Sequence, residues 1–179
     1  MILGSEELLK LVKEGKLIQG LCDRELENPE GAGFDLRIGE IYELVGEGFL
    51  GIEERETPEM KLLAKYDPEK PTIFSLEPGK YYIAKTIETF NNTEEVLTLF
   101  RPRSTLHRSG IALFSGFAHP SYNGGFNVGL INFGTKPFKI EMGARFIHAM
   151  FYEVKGPTTQ YRGQWQGGRT TTEKRERQI

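Results

Sequence analysis

The sequence predicts a mainly β fold, a sandwich or jelly roll with one short helix at its N-terminus. Three observations carry that expectation. After Gly15 the apolar residues fall in short alternating runs instead of recurring every three or four positions. Gly, Asn and Pro separate those runs, and the chain holds 21 glycines and 9 prolines, the turn residues that a many-stranded fold consumes. At 179 residues, with 38% hydrophobic and 27% charged, the chain can bury one full core and has the composition of a globular protein.

The elements follow in order. Ser5 is placed to cap a helix, Glu6 and Glu7 favour its positive end, and Leu8, Leu9 and Val12 form its apolar stripe. Gly15 supplies the stop. "FDLRIGEIYELV" alternates from Phe34 through Leu36, Ile38, Ile41 and Leu44, with one phase slip near Gly39 that a β-bulge would absorb. A second short helix is expected around Pro58–Tyr66. From Pro71 onward every run reads as a strand. "TIFSLEPGKYYIAKTIETF" turns at Pro78-Gly79, and "EEVLTLFRP", "GIALFSGF", "GFNVGLINFG" and "PFKIEMGARFIHAMFYEV" follow. With no linker or repeat, residues 1–169 read as a single domain. The charged segment 170–179, "TTTEKRERQI", lacks apolar anchors and reads as a mobile tail.

Charge narrows the function. Lys and Arg number 23 against 25 Asp and Glu, a formal net charge of −2. That balance argues against a binder of nucleic acid polymers or membrane surfaces, which needs a basic excess. Cys22 is the single cysteine, so neither an intrachain disulfide nor a cysteine-rich zinc site is expected. No apolar run approaches a membrane span, and charges interrupt the N-terminus too early for a signal peptide, so a cytoplasmic location is expected.

Against that neutral background "FRPRSTLHRSG" packs three arginines, a histidine and three hydroxyls into eleven residues. Pro102 stops the strand ladder, so Arg103–Gly110 should leave the sheet as one helical turn. Guanidinium groups, hydroxyls and free N–H groups on such a turn suit a polyphosphate. The plainer alternative is a surface loop whose arginines pair with nearby carboxylates. In "SGFAHPSYNGGFNVGLINFG", Tyr122 precedes Gly124-Gly125, which would let a ring lie against a flat ligand. "QYRGQWQGGR" again joins aromatics, arginines and glycines, where an arm could close over a site.

At these residues the chain resembles the trimeric dUTPase and dCTP deaminase superfamily. "PRSTLHRSG" is similar to its phosphate motif, "AGFDLRIG" to its first motif, and "HPSYNGGFNVGLIN" to its substrate motif. "QYRGQ" and the opening "MILGSEELLKLVKEGKLI" resemble the deaminase branch, and "GEIYELVGEGFLG" resembles archaeal dUTPase-like members. The resemblance implies a distorted jelly roll of the dUTPase-like β-clip type, assembled as a homotrimer with sites shared between subunits. It implies magnesium carried by a deoxynucleoside triphosphate. It implies phosphate contacts from Arg103, Ser104 and Thr105, with Arg108 near the base. It assigns Tyr122 to the substrate motif, base recognition to main-chain groups around Asn127, Val128 and Gly129, and the covering arm to Gln160, Tyr161 and Gln164. Asp35 corresponds to the first-motif aspartate, in an indirect magnesium or structural role.

Two departures matter. Where the deaminases carry a proton-shuttling glutamate this chain has Gly129, which cannot move a proton. Where the dUTPases carry a third-motif aspartate it has His119, whose imidazole could act as the base near neutral pH or serve the turn structurally. His107 and His148 read as structural. The leading expectation is therefore a dUTPase-type pyrophosphatase with His119 as base. A dCTP deaminase, alone or bifunctional, and a non-catalytic nucleotide binder are the alternatives.

Overall fold

A computed structural model describes residues 1–178. Its elements are α1 (Ser5–Lys13), β1 (Leu17–Gln19), α2 (Asp23–Glu27), β2 (Phe34–Val45), β3 (Phe49–Leu50), β4 (Glu54–Glu56), β5 (Glu59–Lys65), β6 (Ile73–Leu76), β7 (Tyr81–Asn91), β8 (Val96–Pro102), α3 (Ser104–Arg108), β9 (Ile111–Phe114), β10 (Asn123–Asn132), β11 (Phe138–Glu141), β12 (Arg145–Glu153) and β13 (Glu176–Arg177). The fold is mainly β, a distorted jelly roll with short helices.

The large sheet runs β8-β12-β2-β7-β10-β9, with β5 added to β2 and β1 to β7. Small sheets β11-β6 and β13-β4-β3 flank it. The phase slip at Gly39 is a register irregularity: Ile38 pairs with Thr86 and Glu40 already with Lys85. Residues 34–37 pair with β12, Ile38 already with β7, and residues after the slip with β7 and β5. Phe34, Leu36, Ile38 and Ile41 are all fully buried, so the slip keeps the apolar face inward. At Pro78-Gly79 the chain changes sheets, because β6 pairs with β11 and not with β7.

Three expectations are corrected. Gly4, not Ser5, precedes α1 as its cap, and no side-chain cap bond forms; Leu8 is the helix residue that reaches full burial. Residues 58–66 form β5, not a helix. The free edge of β2 outweighs the helical propensity of "EMKLLAK", and the directly opposed pairs Lys61–Glu43 and Lys65–Glu40 bridge the two strands at 3.0 Å each. The C-terminal segment is held rather than loose. β13 pairs with β4, Thr172 is buried, and the Thr57 amide donates to Thr172 Oγ1 at 3.0 Å. Arg169 bridges Glu176 at 2.8 Å. Its anchors are polar, which a count of apolar residues misses. Among the described residues no helix is long and apolar enough to cross a membrane.

Phe90 sits at the centre of the aromatic core, edge-on to Phe100 at 5.5 Å and Phe126 at 6.0 Å, with Phe151 at 6.3 Å. Phe90→Ala is expected to cost about 3–5 kcal/mol of folding stability, because the β ladders around it prevent collapse of the cavity. Urea denaturation measures this; a loss below about 1 kcal/mol would place the core's centre elsewhere.

Candidate active site

A cavity of about 330 Å³ lies between β10, the loop after β9 and the C-terminal arm. Phe117, Tyr122, Phe126, Tyr161 and Trp165 give it aromatic walls, while Thr57, Met60, Gly116, Asn127, Arg169 and Thr170 complete the lining. The walls are built from the core outward. Phe126 stacks on Phe100 at 4.0 Å and stands edge-on to Tyr122. Tyr122 meets Tyr161 edge-on at 5.9 Å, and Tyr161 stacks on His119 at 4.8 Å with only 12° between the rings. Phe117 also packs on His119, at 4.3 Å with the rings tilted by 56°. The Arg55 guanidinium lies over Trp165, 4.9 Å from the ring.

Tyr122 forms one of these walls. It is buried and its hydroxyl donates to the Gly125 carbonyl at 2.7 Å. Burial, with Tyr161 nearby, pushes its phenol up to about 12. The neighbouring glycines serve the arm instead of a ligand ring. Gly124 has φ +120°, and a Cβ there would come within 2.2 Å of the Gly168 nitrogen. The arm is tied down around that contact: Gln166 accepts from the Asn123 amide at 3.0 Å and donates to the Ser121 carbonyl at 2.9 Å, and the Gly167 amide donates to Asn123 at 2.8 Å.

Of the residues assigned to base and arm, the cavity gathers Tyr122, Asn127 and Tyr161. Asn127 Nδ2 donates to the Arg169 carbonyl at 3.3 Å, and its Oδ1 is buried with no partner among the described residues. Val128 points into the core, leaving only its main chain available. Gly129 follows on the same face of β10 as Asn127, and a Cβ there would lie 2.0 Å from the Tyr81 hydroxyl. Gln160 is drawn away to Glu94 at 2.7 Å, and Gln164 donates to the Arg177 carbonyl.

The arginine-rich segment that resembles a phosphate motif lies elsewhere in the chain. As expected, the segment leaves β8 at Pro102 and forms α3, anchored by buried Leu106, with Ser104, Thr105, His107 and Arg108 exposed. Arg103 caps the turn and bridges Asp35 at 3.1 Å. Asp35 also meets Arg145 at 3.3 Å and His148 Nδ1 at 2.9 Å. Behind it, buried Glu25 accepts from the Asp35 amide at 2.9 Å and bridges Arg145 at 3.1 Å and Arg24 at 2.6 Å. Burial alone would raise the Asp35 pKa; the His148 hydrogen bond and the charges of Arg103, His148 and Arg145 outweigh it and hold the carboxyl below its ordinary range. The cluster draws on α2, β2, β12 and the end of β8, whereas the cavity draws on β10, the loop after β9 and the arm. None of Arg103, Ser104, Thr105 or Arg108 lines the cavity.

Sequence reasoning missed Phe117, Thr57 and Met60 as cavity walls, and Glu25 and Arg145 as partners in the phosphate-side cluster. Trp165 and Arg169 belong to the arm segment it had singled out. No spacing signal links Glu25 to Arg145, because they meet only through the fold.

The dCTP deaminase-like family profile matches residues 2–154. A probable deoxyuridine 5'-triphosphate nucleotidohydrolase of Methanothermobacter thermautotrophicus is 31% identical over 166 residues, covering 93% of this chain and 99% of that protein. A dUMP-forming dCTP deaminase of Dictyoglomus thermophilum is 26% identical over 162 residues, covering 88% and 82%. The crystal structure of 2'-deoxycytidine 5'-triphosphate deaminase from Agrobacterium tumefaciens superposes with a TM-score of 0.61 at 20% identity. The match covers 86% of this chain and 48% of that one, so this chain spans about half its length; the likeness is one of fold.

The Asp35 cluster sets a pH dependence. A carboxyl with a depressed folded pKa adds stability that is fully present above its unfolded value, about 3.9, and is lost as pH falls through the folded value. Asp35→Asn is therefore expected to lower the melting temperature at neutral pH and to flatten its decline below about pH 4. Thermal melts across pH 2.5–7 on both proteins check this; parallel curves would remove Asp35 from the acid limb.

Proposed function

Because the chain belongs to the dCTP deaminase-like family, we propose that it hydrolyses dUTP to dUMP and pyrophosphate, as a cytoplasmic enzyme of dUTPase type. The observation that carries this reading over deamination is position 129. Deamination needs a group that takes a proton from water and hands it to the leaving amine. At 129 there is no side chain, and the space beside it is filled by the Tyr81 phenol. Burial pushes that phenol above its ordinary value, so it remains protonated and cannot serve as base.

In the proposed reaction water attacks the α-phosphorus, the bond to the bridging oxygen breaks, and pyrophosphate leaves. His119 takes the proton from water. Burial holds its imidazole below its ordinary pKa, so the neutral, proton-accepting form dominates at pH 7. Arg103, Ser104 and Thr105 supply donors to the phosphates, with Arg108 near the base, and alignment with charge neutralisation accounts for most of the rate. Magnesium would neutralise phosphate charge while held by the nucleotide. The Asp35 oxygens already face Arg103, Arg145 and His148, so Asp35 is proposed to set Arg103 and not to bind the ion directly.

That none of Arg103, Ser104, Thr105 and Arg108 lines the cavity supports a homotrimer in which one subunit's α3 completes another's cavity. The deaminase alternative keeps one structural support: Tyr161 of the "QYRGQ" segment does form part of the cavity wall.

Incubation with each deoxynucleoside triphosphate and magnesium is expected to release pyrophosphate from dUTP, and EDTA to abolish turnover; ammonia released from dCTP would establish the deaminase reading instead. Turnover should rise with pH and level off, with a midpoint below about 6.5. His119→Ala should lower kcat by about 10²-fold or more with a smaller change in KM. Unchanged kcat would end the base assignment. Light scattering is expected to give three times the chain mass of 20.3 kDa, and a stable monomer would contradict the shared site.

A further inference from the structure

Two guanidinium groups beside the cavity share a single carboxylate. Arg169 lines the cavity and Arg55 lines an adjoining pocket, with Trp165 and Thr57 common to both. Arg55 lies over the Trp165 ring, and its Nε is buried with no partner among the described residues. Glu176 stands between the two cations. One of its oxygens faces Arg169 Nη1 at 2.8 Å, and the other faces Arg55 Nη2 at 3.4 Å. Glu56, next to Arg55 in the chain, pairs with Arg175 instead. Among the described residues Glu176 is thus the one acidic partner of both arginines. Two positive charges meet one negative charge in a partly buried place, where incomplete matching is unfavourable. The Arg55 contact is also long for a charge-assisted hydrogen bond, so this guanidinium has donors to spare.

The carboxylate arrives on a segment that can leave. Thr172 is buried and bonded to Thr57 in both directions, which anchors the arm up to that point. Glu173 follows with φ +62°, a left-handed conformation that strains a residue with a Cβ. Beyond it β13 has two residues, Glu176 lying directly opposite Arg55. The other ties are exposed and polar. The Gln178 amide donates to the Glu53 carbonyl at 2.8 Å, its side chain donates to the Gly51 carbonyl at 2.6 Å, and Gln164 donates to the Arg177 carbonyl. Release of the chain after Glu173 would uncover both guanidinium groups while Thr172 keeps its anchor.

We propose that Arg55 and Arg169 form an oxyanion site beside the cavity and that Glu176 is its built-in competitor, holding the site until a phosphate group displaces it. A phosphate dianion matches both charges where Glu176 matches one, and its oxygens can engage two guanidinium groups together. The ligand class is a phosphate or pyrophosphate group, free or carried by a nucleotide. The proposal goes beyond the hydrolysis reading, since it involves neither a bond-breaking step nor a base.

Calorimetric titration with inorganic pyrophosphate and, separately, with dUTP in EDTA tests it on the full chain. Glu176→Gln keeps the side chain's size and removes its charge, and should bind pyrophosphate about tenfold more tightly than wild type. Adding Arg55→Ala to that variant should cancel the gain. A gain confined to dUTP would assign the phosphate to a nucleotide. Hydrogen exchange on wild type gives a readout that needs no variant: saturating pyrophosphate should speed exchange at the Gln178 amide and leave the Thr172 amide protected. Equal or weaker binding of both ligands by Glu176→Gln overturns the proposal, as does a gain that survives Arg55→Ala. Bound pyrophosphate that leaves Gln178 protected overturns it as well. Absence of dUTP turnover would remove the hydrolysis reading alone, because none of these measurements involves turnover.

Discussion

Strand β2 changes partners at Gly39, and both chemically distinctive regions of the molecule depend on that change. Through Arg37 its backbone pairs with β12, which sets Asp35 opposite His148 and within reach of Arg103 and Arg145. After it the strand bonds β7, which in turn carries β10 and the cavity. One strand therefore fixes the orientation of the arginine-rich turn relative to the aromatic cavity while keeping four apolar residues inward. A shift of one residue at this point would turn Asp35 into the core and Leu36 out of it.

The acidic cluster shows how the fold supports a cation in an exposed turn. Arg103 leaves the sheet at a helix of one turn, a place where an arginine would ordinarily wander. Asp35 holds it, Arg145 and His148 hold Asp35, and buried Glu25 holds both the Asp35 backbone and Arg145. Each carboxylate is matched by more than one donor, the condition under which burying charge is tolerable. The same arrangement leaves Ser104, Thr105 and Arg108 exposed and unencumbered on the outer side of the turn.

Much of this was legible in the letters. The strand series, the exit at Pro102 and the phase slip at Gly39 follow from local pattern, because each is enforced by neighbours in sequence. The arginine-rich turn was also legible as a feature, although the plainer reading proved partly apt: Arg103 does pair with a carboxylate. What could not be read depends on partners far apart in the chain. "EMKLLAK" has helical propensity and became a strand because β2 offered an edge. The C-terminal segment has no apolar anchor and is nonetheless held, through threonine hydroxyls and a two-residue ladder. Tyr81 gave no signal at all, since its meaning lies in the side chain that residue 129 lacks.

The held C-terminal segment has an entropic meaning. A segment already ordered has lost its conformational freedom before it meets anything else, so each contact its side chains make adds little further entropic penalty. Gly124 and Gly168 are in backbone contact and the strand pair β13–β4 fastens the far end, so Tyr161 and Trp165 stand as cavity walls through the chain's own contacts. The walls are thus set before they are needed, and the cost of setting them falls on folding.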